Sequence, residues 1–199
     1  MAIAYIEKMT MDVTFEILES TTHSIIYIIS EMEVGKVHST HFYWADMQGN
    51  RIDFLFGDRN TIDEQIRLLK FANNVNDLLV KFERKDEYQG NEMLVMERLY
   101  PVSEDCFTKI EKDKFMVDLE TKLKALHEAG FVHGDIKRPR LPIPECFNNI
   151  ILTKEGFRLI DADFSSTLTL ENIKGFIHRK WDEEAELKSF RTYFTRDSV

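Results

Sequence analysis

Three oxygen-bearing side chains stand out along the chain. Asp135 lies in His133-Gly134-Asp135-Ile136-Lys137, Asn149 in Asn148-Asn149-Ile150-Ile151-Leu152, and Asp161 in Leu159-Ile160-Asp161-Ala162-Asp163-Phe164. Phosphoryl transfer needs a carboxylate near the attacking hydroxyl, a neutral oxygen ligand for a hard cation, and a second carboxylate that holds the cation on the phosphates. The residue types and their order match that need. They can act together only if the fold brings three separate segments into one cleft.

The elements that must do so fall into two halves. In the first, Ser24–Ile29 is short and β-branched, and it reads as a strand. His41–Ala45 and Arg51–Phe56 flank the Gln48-Gly49-Asn50 turn and read as an antiparallel hairpin. Thr61-Ile62-Asp63-Glu64 is a capping-box pattern opening a helix with Ile66, Leu68, Leu69 and Phe71 on its apolar side. Leu78–Phe82 and Met93–Met96 read as two further strands around Tyr88-Gln89-Gly90-Asn91. Residues 1–23 are expected to add an extra strand or helix at the edge. In the second half, Phe107–Ala129 has a helical period, with Gly130 as its C-cap. A Pro-rich loop follows, then two short strands at 149–153 and 157–160, then a charged helical tail from Leu170. The expected organisation is an extension (1–23), a sheet-rich lobe (24–100) and a helix-rich lobe (101–199).

The ordered segments after a long amphipathic helix resemble the catalytic core of the protein-kinase superfamily, in the His-Gly-Asp and Asp-x-Asp form of fungal kinase-like proteins. The resemblance implies an α+β, two-lobed fold with an antiparallel five-stranded N-lobe and a shortened helical C-lobe. It implies Asp135 and Lys137 as catalytic-loop residues, Asn149 and Asp161 as Mg²⁺ ligands, and ATP as the nucleotide. It also implies a hinge at Glu97-Arg98-Leu99-Tyr100, with Met96 as gatekeeper and Glu97 and Leu99 beside the adenine. Asn148 is the second candidate for the amide ligand. Thirteen residues separate Asp135 from Asn149, where the kinase motif has four. The excess is expected to bulge outward.

The same alignment points to damage in the nucleotide-gripping half. It leaves Gly35 as the one glycine of the phosphate-binding loop, with Val37 and Thr40 at the other positions, and it puts Leu55 where a Lys is expected. No Lys or Arg lies between Ile52 and Asp58. Lys36, Arg51 and Arg59 are the candidate replacements, with Lys36 and Gly35 expected beside the phosphates. Glu64 matches the family's helix Glu but also completes the capping box, and the capping role is preferred. Only 36 residues follow Asp163, so most of a peptide-substrate platform is expected to be reduced.

Net charge of −9 opposes general binding to nucleic acid. No apolar stretch approaches the roughly 20 residues of a membrane span, and the first residues lack a secretory pattern. Cys106 and Cys146 form no metal or redox motif, so an intracellular protein, cytoplasmic or nuclear, is expected. His38, His41, His127 and His178 are expected in surface or packing roles. The run Arg179–Glu184 is expected to be a solvated helix face, with Trp181 and Phe190 as candidate docking residues. The leading expectation is a pseudokinase acting through nucleotide or protein binding. The alternatives are an active atypical kinase, in which a cation such as Lys36 reaches the pocket and faces Asp161, and an α+β interaction domain without a nucleotide.

Overall fold

A β-hairpin edge, one central strand and a capped helix set the geometry of the first half. The computed structural model describes residues 15–20, 24–38, 43–45, 51–53, 60–137, 142 and 145–196. Strands β1 (Glu16–Ser20), β2 (Ser24–Ile28) and β3 (Glu33–His38) run consecutively. A separate hairpin, β4 (Tyr43–Ala45) and β5 (Arg51–Asp53), lies between β3 and helix α1 (Ile62–Val75). Strands β6 (Phe82–Tyr88) and β7 (Asn91–Glu97) close the lobe. The five-stranded antiparallel sheet has the order β1-β2-β3-β7-β6.

Strand β3 is central, paired with β2 on one side and β7 on the other. Both its edges are therefore paired, its two faces pack into separate clusters, and Val34, Gly35, Lys36 and Val37 are all buried. Alternation along the strand sends Val34 into the main core with α1, Leu94 and Met96. It sends Val37 to the opposite face, into a smaller cluster with Tyr88, Met93 and Val95. Lys36 and His38 share the α1 side with Val34. Gly35, expected in a phosphate-binding loop, sits instead in mid-strand opposite Tyr27 and Val95. A Cβ there would meet the Met93 Sδ at 2.4 Å and Ile29 Cδ1 at 3.0 Å. The glycine is used for close packing across the sheet.

The capping box read from sequence at Thr61 is present, and α2 starts with a second one that was not expected. Thr61 caps α1 with Glu64 reciprocating, and Thr108 caps α2 (Lys109–Glu128) with Glu111 reciprocating. Glu64 is thus a capping residue, as expected. Helix α2 buries Met116, Leu119, Leu123 and Leu126 and ends before Gly130, at φ +88°, whereas Ile110 and Val117 on it are exposed. Short strand β8 (Phe131–Val132) precedes His133, and strands β9 (Ile150–Thr153) and β10 (Gly156–Leu159) form a hairpin. Strand β11 (Ser166–Thr167) returns to pair with β8, and α3 (Ile173–Phe194) covers the far side.

The expected strand at Leu78–Phe82 is corrected. Leu78–Val80 cross between the halves as a single bridge to Leu159, with hydrogen bonds Val80 N–H to Leu159 O and Leu159 N–H to Leu78 O, both 2.8 Å. The architecture is α+β: a five-stranded antiparallel sheet with α1 in the first half, then α2, α3 and two short antiparallel strand pairs, β9–β10 and β8–β11, in the second. Leu55, Arg59, His41, the end of the expected 51–56 strand and most of the Pro-rich loop (138–141 and 143–144) lie outside the described residues, as does the side chain of Arg51.

Replacing Gly35 by Ala is expected to destabilise the protein by about 1–3 kcal/mol through overpacking against Met93. Urea unfolding checks this as a lower midpoint with an unchanged slope.

Candidate functional site

Lys36 is the centre of a buried polar cluster. Its side chain is 4% exposed, and all three ammonium protons have acceptors: Asp161 Oδ1 at 2.7 Å, Asp163 Oδ1 at 2.6 Å and Gln65 Oε1 at 3.3 Å. β3 supplies the cation, α1 supplies Gln65, and the loop after β10 supplies both carboxylates. The Gln65 amide nitrogen also joins His38 Nε2 at 2.8 Å and the Asn60 carbonyl at 3.0 Å. Asp161 adopts φ +69°, a left-handed conformation costing about 1 kcal/mol in a non-glycine residue. That turn lets two acids separated by one residue face the same ammonium.

The loop is clamped from the first lobe. Asn60 donates its backbone N–H to Asp163 O at 2.9 Å, and its amide donates to Ala162 O at 2.9 Å and Ser165 O at 2.8 Å. Burial by itself pushes the Asp163 carboxyl up, but His38 and the Lys36 ammonium beside it outweigh that, and it is held far below the usual carboxylate range.

Asn149 meets Asp135 from the other side. Its amide donates to Asp135 Oδ2 at 3.0 Å and Asp135 O at 2.7 Å, and Asn149 is 2% exposed. The long insertion therefore does not separate them, and Asn148 is the exposed neighbour. His133 is fully buried and braces the same turn, with Nε2 2.9 Å from Ile160 O, while Ser165 Oγ donates to His133 O at 2.9 Å. Gly134 has φ +83°, and a Cβ there would fall 2.3 Å from Phe164 O. No side chain fits at that position, which explains the glycine of His-Gly-Asp.

Beneath this turn, Glu183 on α3 accepts the Gly134 N–H and pairs with His127 Nε2 at 2.7 Å. Both side chains are 2% exposed. The run Arg179–Glu184 is thus not uniformly solvated, because Glu183 points inward on the face that also carries Leu187, Phe190 and Phe194. Phe190 is buried against Phe147, Phe157 and Phe194, so it is no docking residue, whereas Trp181 is exposed. His127 is in the packing role expected of it.

Two other expectations bear on this geometry. Lys36, one of the three candidate replacement cations, faces Asp161, with Nζ 2.7 Å from Oδ1. The strands expected at 41–45 and 51–56 as members of the main sheet are corrected: β4 and β5 form a separate two-stranded pair. Lys137 is half-buried with Nζ 5.8 Å from the Phe147 ring centre. On β7 and just after it, Met96 is buried and Leu99 is partly buried against the main core. The Glu97 carboxylate contacts Arg158 and the Lys81 N–H, and the Arg98 N–H goes to Met32 O at 2.8 Å.

The residues that sequence reasoning missed are Asp163, Gln65, Asn60 and Glu183. Asp163 had a signal in the Asp-x-Asp spacing, and Glu183 had one in its helical spacing to Leu187, Phe190 and Phe194. Among the described residues, no group of three or more His, Cys, Asp or Glu is arranged to hold a metal by itself. The donor set fits Mg²⁺ that arrives on phosphates: one carboxylate and one amide oxygen, beside an ammonium and two carboxylates that together carry one net negative charge.

No protein-family model matches the chain, and no curated protein matches it. Among solved structures it is similar to the Cydia pomonella granulovirus kinase PK-1, with a TM-score of 0.47 and 15% identity over 77% of this chain and 55% of the viral one. The chain therefore spans little more than half the length of that kinase. Among the described residues, no helix is long and apolar enough to cross a membrane.

Glu186 lies one turn beyond Glu183, half-buried near the Asp135 turn. Burial first, then Glu183 and Asp182, push its carboxyl up to about 7, with Asp135 adding and Lys137 opposing. Between the ordinary value of 4.5 and about 7 the folded state binds more protons than the unfolded one, so this group's contribution to stability falls as pH rises. Glu186→Gln is expected to match the wild type at pH 5. At pH 8 it is expected to be more stable by about 1 kcal/mol, once solvent screening of a half-exposed group is allowed for. Urea unfolding at the two pH values checks this.

Proposed function

We propose that the cleft binds Mg²⁺·ATP and that the chain is an ATP-dependent phosphotransferase acting on a hydroxyl of a protein or small molecule. The observation that carries this reading is the Lys36 ammonium held between Asp161 and Asp163 under the sheet, with Asn149 joined to Asp135 and its carbonyl accepting the N–H of Ile160, the residue before Asp161, at 3.0 Å. In this reading Lys36 orients the α- and β-phosphates. Asp161 and Asn149 would hold Mg²⁺, which when bound neutralises charge developing on the phosphates. Met96, Glu97 and Leu99 line the adenine side. Asp135 accepts the proton of the attacking hydroxyl as the new O–P bond forms and the β–γ bridging P–O bond breaks, leaving ADP. Lys137 supplies positive charge beside Asp135, partly offset by Glu186. Gly35 has no place in this reading as a phosphate-loop residue.

One observation favours the binding-only alternative, a pseudokinase whose output is contact with a protein partner. The sequence has no glycine before Gly35, so no glycine-rich loop precedes the strand that carries Lys36. A phosphate-binding loop without glycine keeps its backbone farther from the phosphates, and grip on the γ-phosphate is correspondingly weaker.

Calorimetric titration with Mg²⁺·ATP, followed by a phosphate-transfer assay, separates the readings. Lys36→Met and Asp161→Asn are each expected to weaken binding by about tenfold or more, equivalent to about 1.4 kcal/mol. Asp135→Asn is expected to keep binding and lower transfer by about 10²–10⁴-fold. A wild-type chain that binds nucleotide without transferring phosphate supports the binding module. One that does not bind nucleotide contradicts both.

A further inference from the structure

Helix α1 carries two acids, Asp63 and Glu64, and both are exposed and committed elsewhere. Asp63 pairs with Lys85 at 2.8 Å, and Glu64 caps the helix with Thr61. The α1 side chain that reaches Lys36 is the neutral Gln65, fully buried and 3.3 Å away. The closest charge is Asp163, 2% exposed and 2.6 Å from Nζ. Its backbone carbonyl and those of Ala162 and Ser165 are all tied to Asn60. The loop that presents Asp161 therefore also carries the residue that anchors Lys36.

We propose that Asp163 is a positioning residue: it holds Lys36 beside Asp161, so that cation and metal-side carboxylate are set by one clamped loop and not by the placement of an acid on α1. This deepens the nucleotide-binding reading of the cleft and rests on it. Lys36 has three donors, and arriving phosphates compete for the one now on Asp161 while the one on Asp163 keeps the side chain in place. Asp163 touches no substrate atom in this role. An amide at position 65 supports the ammonium without a second full charge, since the two carboxylates already outnumber the cation.

Two measurements test this. The first needs no nucleotide: urea midpoints of Lys36→Met, Asp163→Asn and the double variant form a cycle. The midpoint shift of the double variant is expected to be clearly smaller than the sum of the single shifts, because each single change leaves a buried charge without its partner. Additive shifts overturn the anchor. If Asp163→Asn alone fails to fold while the double variant folds, that is the same coupling in its extreme form.

The second measurement is Mg²⁺·ATP affinity. Asp163→Asn is expected to weaken it about tenfold, and adding Gln65→Glu, which places a carboxylate oxygen where Oε1 already meets Nζ, is expected to bring it back to within about threefold. A role in local folding alone would not be rescued from another element. Unchanged affinity in Asp163→Asn overturns the proposal, as does a loss that Gln65→Glu leaves in place, which would mark Asp163 as a direct cation ligand. If the wild type binds no nucleotide, the reading of the cleft fails, and the stability cycle still decides whether Asp163 anchors Lys36.

Discussion

An ammonium group buried as deeply as that of Lys36 is unstable unless its three protons find acceptors and its charge finds a partner. Meeting that demand ties β3 to α1 and to the loop after β10. Removing one member of such a buried pair typically costs about 3–5 kcal/mol, much of it from the charge left behind. Such a cluster adds little net stability over an apolar core, yet it cannot lose one member cheaply. It fixes which strand is central and which loop lies beneath it.

The second lobe is built to hold its half of the crevice still. Gly134 lets the Asp135 turn lie directly on Phe164 O, Arg179 donates to the same carbonyl at 2.9 Å, and Glu183 takes the Gly134 N–H. The β8–β11 pair brings residues just before Asp135 against residues just after Asp163. The bridge between Leu79 and Leu159 and the Asn60 clamp then fasten this assembly to the sheet. Side chains that are remote in sequence converge because backbone groups carry most of the attachment.

What could be read from the chain follows from how local each signal is. The capped starts of α1 and α2, the α2 stripe, the β9–β10 hairpin and the Asp135, Asn149 and Asp161 segments are written in short spacings. Strand β3 is not. Glu33-Val34-Gly35-Lys36-Val37-His38 contains a glycine and three titratable side chains, the composition of a loop. It is a strand because Met93 fills the space over Gly35 and because two acids from beyond residue 160 make burial of Lys36 tolerable. Both causes are tertiary, so no short spacing in the sequence marks this segment as a strand. Glu183 was hidden in the same way, inside a charged run whose inward face shows only when the 3.6-residue period is carried through to Phe194.

The central claim is that Lys36 belongs to a phosphate-binding crevice with Asp161, Asp163 and Asn149. A crystal structure with Mg²⁺ and a non-hydrolysable ATP analogue tests it most directly. The account predicts Lys36 Nζ within hydrogen-bonding distance of both Asp163 and a phosphate oxygen, with the cation on Asp161 and Asn149. Nucleotide bound elsewhere, or Lys36 turned out to solvent with its two carboxylates apart, would contradict it.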